Sequence, residues 1–479
     1  MPPSAEGLPR DWDEAADVVV IGAGFAGFAA AAAAAAAQRS VLILEKMAQC
    51  GGNSAINLGD YAAWDDAWHR RVTRGLGDDS AERHAADALA AGQYYGDPNL
   101  VGIMTREAPA ALNWMVEEGG LRLHDALHRQ GAGGFRMHFA DSGRDFVEAL
   151  RRITERHSAV LRTGTRLERI WRDGTDGPVV GVAVADNAAR RRNILARRGI
   201  VLATGGFGAD VAMRRAFRPI LNEVYNTTNQ PGATGEAIRI AQAIGADTLH
   251  LAFIEVHPFG HPETGRLDVA ARYALRMRRH GGIIVSRSGR RFVNEMAPHD
   301  AISRAAVATG GRPTYSIFNE AMLAAAREGR TDAEITAALA QGLALRADSV
   351  AGLGAALGIP GSALETEVRR FVGFLAARHD EDFARPLGAA LLLPLDTGPY
   401  YAIPRWPAVH FTGGGLRIDT RARVIDIHGA PIPRLYAAGE CTGGIHGLGR
   451  TGGNSTTAPI VFGRIAGSEV ASEQGFTRP

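Results

Sequence analysis

The stretch from residue 17 to residue 46, DVVVIGAGFAGFAAAAAAAAAQRSVLILEK, constrains the fold of this chain more than any other. Residues 17–21 are a short apolar, β-branched run of the kind found in a strand buried on both faces. Gly22, Gly24 and Gly27 follow as a G-x-G-x-x-G turn that feeds a helix. Gly22 permits the tight turn, Gly24 lets a pyrophosphate approach the backbone, and Gly27 lets the helix sit close to the sheet. An anion would rest at the helix N-terminus, where free N–H groups point. Residues 41–44 form a second apolar strand ending in Glu45, an acceptor for a ribose hydroxyl about twenty residues beyond the glycines. Together these features predict a βαβ unit that binds an adenine dinucleotide. A tight βα turn without ligand is the simpler alternative, and the pattern does not choose between NAD and FAD.

A chain of 479 residues can bury a large core and suggests two or three domains. With 46% hydrophobic and 22% charged residues it has the composition of a soluble globular protein. A formal net charge of +2, with arginines dispersed rather than gathered in a stripe, gives no case for nucleic acid. Residues 18–37 are apolar enough to raise the question of a membrane span. Three glycines in a turn motif and a run of nine alanines, weakly apolar but strongly helix-forming, favour a soluble βαβ unit instead. Residues 1–16 carry acids and no apolar core, so no secretory signal is expected and the cytoplasm is the default location. Cys50 and Cys441 are the two cysteines, which excludes a disulfide framework and a cysteine-based metal site; no metal is expected.

Along the chain, residues 50–54 (CGGNS) form a glycine and amide loop able to approach a planar cofactor, or a plain turn. Residues 80–95 and 99–118 have helical spacing, residues 131–143 read as a loop, and residues 144–156 again as a helix. Residues 159–200 alternate strand-like runs with turn signals and predict a small antiparallel excursion that returns to the core sheet at residues 200–203. Ala203, Thr204 and Gly205 then open a second strand-to-glycine turn, as a bulky dinucleotide needs. The segment 257–410 differs in character: it holds six histidines among mixed strands and helices, with glycine-rich, sheet-like segments on either side. We expect an inserted domain there, giving residues 1–256 as the first part of a dinucleotide-binding domain, 257–410 as a capping or substrate domain, and 411–479 as the return.

Five segments together resemble the flavoproteins of the fumarate reductase, urocanate reductase and 3-ketosteroid dehydrogenase group. They are residues 22–27, 51–54, 203–208, 281–295 (GGIIVSRSGRRFVNE) and 436–467, in the family's order. The resemblance implies an α/β fold, a Rossmann-like FAD-binding domain with an inserted α+β cap. It implies FAD held by Gly22, Gly24, Phe25, Ala26, Gly27, Glu45, Lys46, Gly52, Asn53, Ser54, Ala203, Thr204, Gly205, Gly439, Glu440, Gly453, Asn454 and Ser455. Membrane-bound members attach the flavin through a histidine near residues 51–54; none stands there, so the FAD should be non-covalent.

The resemblance also implies site residues, with the active site expected between the flavin domain and the cap. Arg450, in HGLGRTGG, falls where the soluble fumarate reductases clamp a substrate carboxylate, a task that suits a planar guanidinium; a salt bridge or a contact with FAD phosphate is the alternative. His299 holds the position of their proton donor, where ketosteroid dehydrogenases place a tyrosine, and Asp300 or another carboxylate could orient it. Arg278 matches a second arginine of the proton pathway. His257 matches a substrate-binding histidine, with His261 competing for that alignment. Two departures stand out: Phe411 follows His410 where a His-His pair is usual, and Ala274-Leu275 replaces a Thr-Glu pair. The implied activity is hydride transfer between flavin N5 and a C–C bond α,β to a carboxylate or carbonyl, with a small-molecule acid or carbonyl substrate, an unidentified electron donor or acceptor, and no nucleic acid or membrane partner. Alternatives are a cyclic-ketone desaturase, with Tyr401 as acid/base, and a non-catalytic electron-transfer flavoprotein.

Overall fold

A computed structural model describes residues 7–131, 133–326, 332–388 and 392–476. The chain divides into two compact units. The first comprises the described residues of Met1–Pro219, Gln230–Ile254 and Phe411–Pro479; the second comprises those of Ile220–Asn229 and Glu255–His410.

In the first unit the apolar run after Glu14 forms the strand Glu14–Ile21, whose last four residues are all buried. Helices cover both faces of a parallel sheet, so such a strand needs no polar side. It pairs in parallel with Val41–Leu44 (Val18 opposite Val41) and with Arg191–Leu202 (Ile21 opposite Leu202). The sheet continues to Val160–Arg162 on one side and to Pro431–Ala437 and Arg423–Ile425 on the other, with the antiparallel pair Thr165–Arg172 and Val179–Asp186 joined at Arg191–Leu202. The strand that leaves the glycine turn and the strand that returns near the C-terminus are therefore members of one sheet.

The alanine run is the helix Phe25–Ala36, and its close neighbour is the helix Asn454–Ser472. Their contact is nearly backbone on backbone. A Cβ at Gly463 would stand 2.5 Å from Ala26 O, and one at Gly467 would stand 2.2 Å from Ala30 O. Glycines four apart share a helix face, so 463 and 467 clear one groove for the alanine helix.

The second unit has its own sheet, in which Tyr400–Thr412 is central. It pairs with Asn226–Thr227, Thr314–Asn319, Ile254–Gly260 and Leu345–Ala347, and Ile283–Val285 pairs with Thr314–Asn319. Its core gathers Ile317, Phe318, Ala402 and Ile403 from the sheet with Leu364 and Phe371 from the helix Gly361–Ala377. Residues 220–229 belong to this unit because Asn226 and Thr227 pair with Ala408 and Val409, a pairing across 182 positions that local pattern does not reveal.

Residues 131–143, read as a loop, contain the strand Phe135–Phe139, paired antiparallel with Asp60–Ala62. Its alternation is hidden because Arg136 and His138 are buried. Arg136 is satisfied by a fork onto Asp79 at 2.7 and 2.9 Å and a contact with Asp87 at 2.8 Å. Among the described residues no helix is long and apolar enough to cross a membrane.

The helix contact yields a paired test. Gly467→Ala gains about 1 kcal/mol of helix propensity but drives a methyl into a carbonyl, and should destabilise the protein by about 1–3 kcal/mol net. Gly373→Ala, in an exposed helical position with nothing within 4 Å of the added carbon, should stabilise it by about 0.5–1 kcal/mol. Denaturant unfolding of the two variants beside the parent measures both signs.

Candidate active site

The first unit builds a cradle from three glycine turns. Gly22 has φ +103°, and a Cβ there would lie 2.3 Å from Ala203 O on the neighbouring strand. At Gly27 a Cβ would lie 1.9 Å from Gly22 O, so the helix start cannot tolerate even alanine. The Ser54 hydroxyl accepts the Phe25 N–H at 3.0 Å, and the Glu45 carboxylate accepts the N–H groups of Ala23 at 3.0 Å and Met47 at 2.8 Å. Ser54 and Glu45 thus pin the turn itself. At Gly52 and Gly205 an added Cβ would meet nothing within 4 Å, which leaves those two turns open on one side for a ligand.

Glu440 closes the cradle. Its Oε1 accepts the Thr412 N–H at 3.0 Å and the Thr412 hydroxyl at 3.1 Å, and its Oε2 accepts Asn53 Nδ2 at 3.3 Å. Burial pushes its pKa up, against these hydrogen bonds and the charge of Arg450. Asn53 Oδ1 also accepts the Gln230 N–H at 2.8 Å. One amide therefore ties the loop at residues 50–54 to two distant segments, and the set offers a dinucleotide backbone amides, an acidic group and room.

Three residues expected at the cofactor also make contacts within the protein. Lys46 Nζ donates to Thr234 and to Glu236 at 2.8 Å each, so its charge is met inside the unit. Asn454 is buried, its Oδ1 accepts from His84 Nε2 at 2.8 Å, and its Nδ2 donates to the Thr451 hydroxyl at 3.0 Å. The N–H of Gly453 goes to Asp60 at 2.7 Å. These contacts shape the loop that carries Arg450. The Arg450 guanidinium lies 4.5 Å over the Phe411 ring, with Nη1 3.3 Å from Ser455 Oγ, and the His446 ring meets Phe411 edge-on at 5.5 Å.

The second unit holds the other predicted group. His299 begins the helix His299–Ala308, and its Nε2 lies 3.3 Å from Arg278 Nη2. A guanidinium can only donate, so Nε2 accepts and the neutral imidazole carries its proton on Nδ1. The His257 ring centroid is 4.8 Å away, and His410 lies 5.5 Å beyond that with its Nδ1 2.9 Å from the Thr228 hydroxyl. Phe259 meets the His299 ring edge-on at 6.3 Å and lies 5.7 Å beneath Arg278. Burial lowers the His299 pKa to about 4, with the Arg278 charge adding to it and Glu255 opposing. Burial likewise brings Arg278 down to about 10, so it stays a cation at neutral pH.

A buried ionic cluster fixes Arg278. Arg291, Glu295, Asp380 and Arg385 have fully buried side chains. Arg291 forks onto Glu295 at 2.8 and 2.9 Å and onto Asp380 at 3.2 and 2.8 Å, and Arg385 reaches Glu295 at 3.0 Å. The Glu295 carbonyl accepts Arg278 Nη1 at 3.0 Å, and Arg385 donates to the Arg278 carbonyl at 2.5 Å. The RFVNE motif is thus a brace for the arginine that touches His299. Arg291 and Glu295 could have been paired from their four-residue spacing, but Asp380 and Arg385, nearly ninety positions on, gave no local signal.

Two of the residues named from the sequence have other partners. Tyr401 does not join His299: it stacks on Phe318 at 5.4 Å and donates its hydroxyl to Glu320 at 2.6 Å, nine residues along its strand from His410, or roughly 30 Å at the usual rise. Burial first, then Glu320, raise its pKa. Asp300 pairs with Arg304. Of the two candidate histidines, His257 joins the cluster, whereas His261 Nδ1 accepts the N–H groups of Glu263 and Thr264 in a turn.

Residues 17–456 match the family model described as FAD binding domain. The chain is 32% identical over 482 residues to the urocanate reductase of Eggerthella lenta, covering 98% of this chain and 76% of that protein. It is 34% identical over 464 residues to the fumarate reductase (cytochrome) of Shewanella frigidimarina, covering 96% and 77%. Among solved structures it resembles the open conformation of a flavocytochrome c3 fumarate reductase, with a TM-score of 0.84 and 30% identity over 96% of this chain and 78% of that one. It also resembles the 3-ketosteroid-delta4-(5alpha)-dehydrogenase of Rhodococcus jostii, with a TM-score of 0.73 and 26% identity over 98% and 100%.

The cradle geometry carries a prediction. Gly206→Ala would set a methyl 2.0 Å from Thr412 Oγ1 and 2.6 Å from Glu440 Oε1, pushing the closing carboxylate off its partners. Purified Gly206→Ala should retain at least about tenfold less FAD than the parent, a cost of about 1.4 kcal/mol, read as flavin absorbance per protein.

Proposed function

We propose that this chain, which belongs to the FAD binding domain family, moves hydrogen across a C–C bond beside a carboxylate, with His299 as the proton-transfer group and Arg450 as the carboxylate anchor. The chain is an FAD-dependent oxidoreductase acting on CH–CH groups. FAD, when bound, supplies or takes the hydride; its partners here are the Gly22 to Gly27 turn, Asn53, the turn after Ala203 and Glu440, without a covalent bond. The electrons come from, or go to, a separate carrier.

The setting of His299 carries the reading. It is a half-buried imidazole fixed by a cation on one ring nitrogen and flanked by a second imidazole. Such a side chain exchanges a proton at the substrate α carbon when hydride arrives at or leaves the β carbon. The Arg278 charge, held by its brace, stabilises the negative charge that develops on the substrate and needs no reorganisation to do so. Arg450 offers its fork to the carboxylate, and the Phe411 face under it holds the guanidinium in place. The substrate class is an unsaturated acid such as fumarate, urocanate or acrylate, which name the relatives' activities.

Phe411 favours a second reading, in which the substrate is a cyclic ketone with an apolar body, and the likeness to a ketosteroid dehydrogenase points the same way. The burial of Tyr401 against Phe318 weighs against it, since it removes the acid/base that reading required.

A substrate panel of fumarate, urocanate, acrylate and a 3-ketosteroid, with a reduced viologen dye as donor and an oxidised dye as acceptor, separates the two. His299→Ala should lower kcat by at least about 10³-fold while FAD stays bound; full turnover would refute the assignment. Arg450→Gln should lower kcat/KM for the preferred acid by roughly 10²-fold, chiefly through KM, and Arg450→Lys should recover little of it, because a point charge does not replace a planar fork.

A further inference from the structure

Glu255 has no part in the reading above. It lies on the strand Ile254–Gly260, where alternate residues share a face, so Glu255, His257 and Phe259 leave it on the same side. Two of these three meet the reaction centre: His257 packs on His299, and Phe259 packs on both His299 and Arg278. Glu255 is the next position along that face, and it is half-buried. Its charge favours the protonated form of His299, by less than burial and Arg278 disfavour it.

The other groups around His299 disfavour a second proton on it. Arg278 and Arg279 face it from the turn Arg278–His280, His410 from the strand Tyr400–Thr412, and His257 from its own strand. The helix Val269–Met277 leading to Arg278 carries no carboxylate. Protonation would also place a hydrogen on Nε2 against the Arg278 fork. Glu255 is the negative group that opposes these groups and favours the protonated ring.

We propose that Glu255 is the carboxylate that reloads His299, an inference that rests on the reading of His299 as the proton-transfer group. The Glu255 carboxyl passes its proton, directly or through one water, to His299, leaving a carboxylate beside an imidazolium. The imidazolium then gives that proton to the α carbon of the substrate carbanion formed by hydride arrival at the β carbon. His299 returns to neutral, and Glu255 recovers a proton from solvent. In the dehydrogenation direction the same path runs backwards and discharges the proton.

The test uses holoenzyme and whichever of fumarate, urocanate and acrylate turns over fastest. Glu255→Gln should keep its FAD and its KM within about twofold, while kcat at neutral pH falls by roughly 10- to 100-fold. The limb of the kcat profile that falls as pH rises should move to lower pH, because the imidazolium has lost its counter-charge. Glu255→Asp should recover part of both, and it serves as the deciding variant if Glu255→Gln loses its flavin. Unchanged kcat and an unmoved limb in Glu255→Gln would overturn the inference, as would equal loss with no shift in both variants. If His299→Ala itself turns over normally, the reading of His299 fails first; if His299→Ala is inactive and Glu255→Gln is normal, only the role of Glu255 fails.

Discussion

The near-backbone contact between the alanine helix and the C-terminal helix is the constraint on which the first unit depends. Gly463 and Gly467 bring the two axes close enough that a single methyl would strike a carbonyl. That closeness sets where the glycine turn begins, because the same helix starts at Phe25, and it sets where the loop bearing Arg450 ends, because Asn454 opens the other helix. Interiors packed at crystal-like density transmit such a restriction rather than absorb it. Residues more than four hundred positions apart thus shape one cradle.

The second unit solves a different problem, which is how to keep a cation beside an imidazole under cover. Four fully buried charged side chains, Arg291, Glu295, Asp380 and Arg385, neutralise one another and leave two main-chain contacts to hold Arg278. Removing one member would leave an uncompensated buried charge, typically a cost of about 3–5 kcal/mol. The aromatic faces of Phe371 and Phe383 cover the guanidiniums. Arg278 is therefore part of a rigid frame, and His299 reads a fixed positive charge.

Legibility followed the range of the interactions. The βαβ unit was readable because strand, turn, helix and strand are contiguous and each obeys a local rule. The strand at Phe135–Phe139 was not, because it buries Arg136 and His138 along with Met137, so its burial does not follow the apolar–polar alternation of its residues. Glu255 could have been found, since it stands two residues from His257 and a strand puts both on one face. Lys46, Asn454 and Tyr401 were named by position in a motif, and the partners the fold gives them, Glu236, His84 and Glu320, are distant in sequence and left no local signal.

By itself the sequence determined the dinucleotide turn and the α/β class, because glycine spacing and strand periodicity are properties of consecutive residues, while the family and FAD came from the resemblance of five separate segments taken in order. Which histidine joins His299, what braces Arg278 and what lies under Arg450 were decided only by the tertiary structure. Those relations depend on pairings across tens to hundreds of positions, where one strand's register turns a side chain toward the site or away from it.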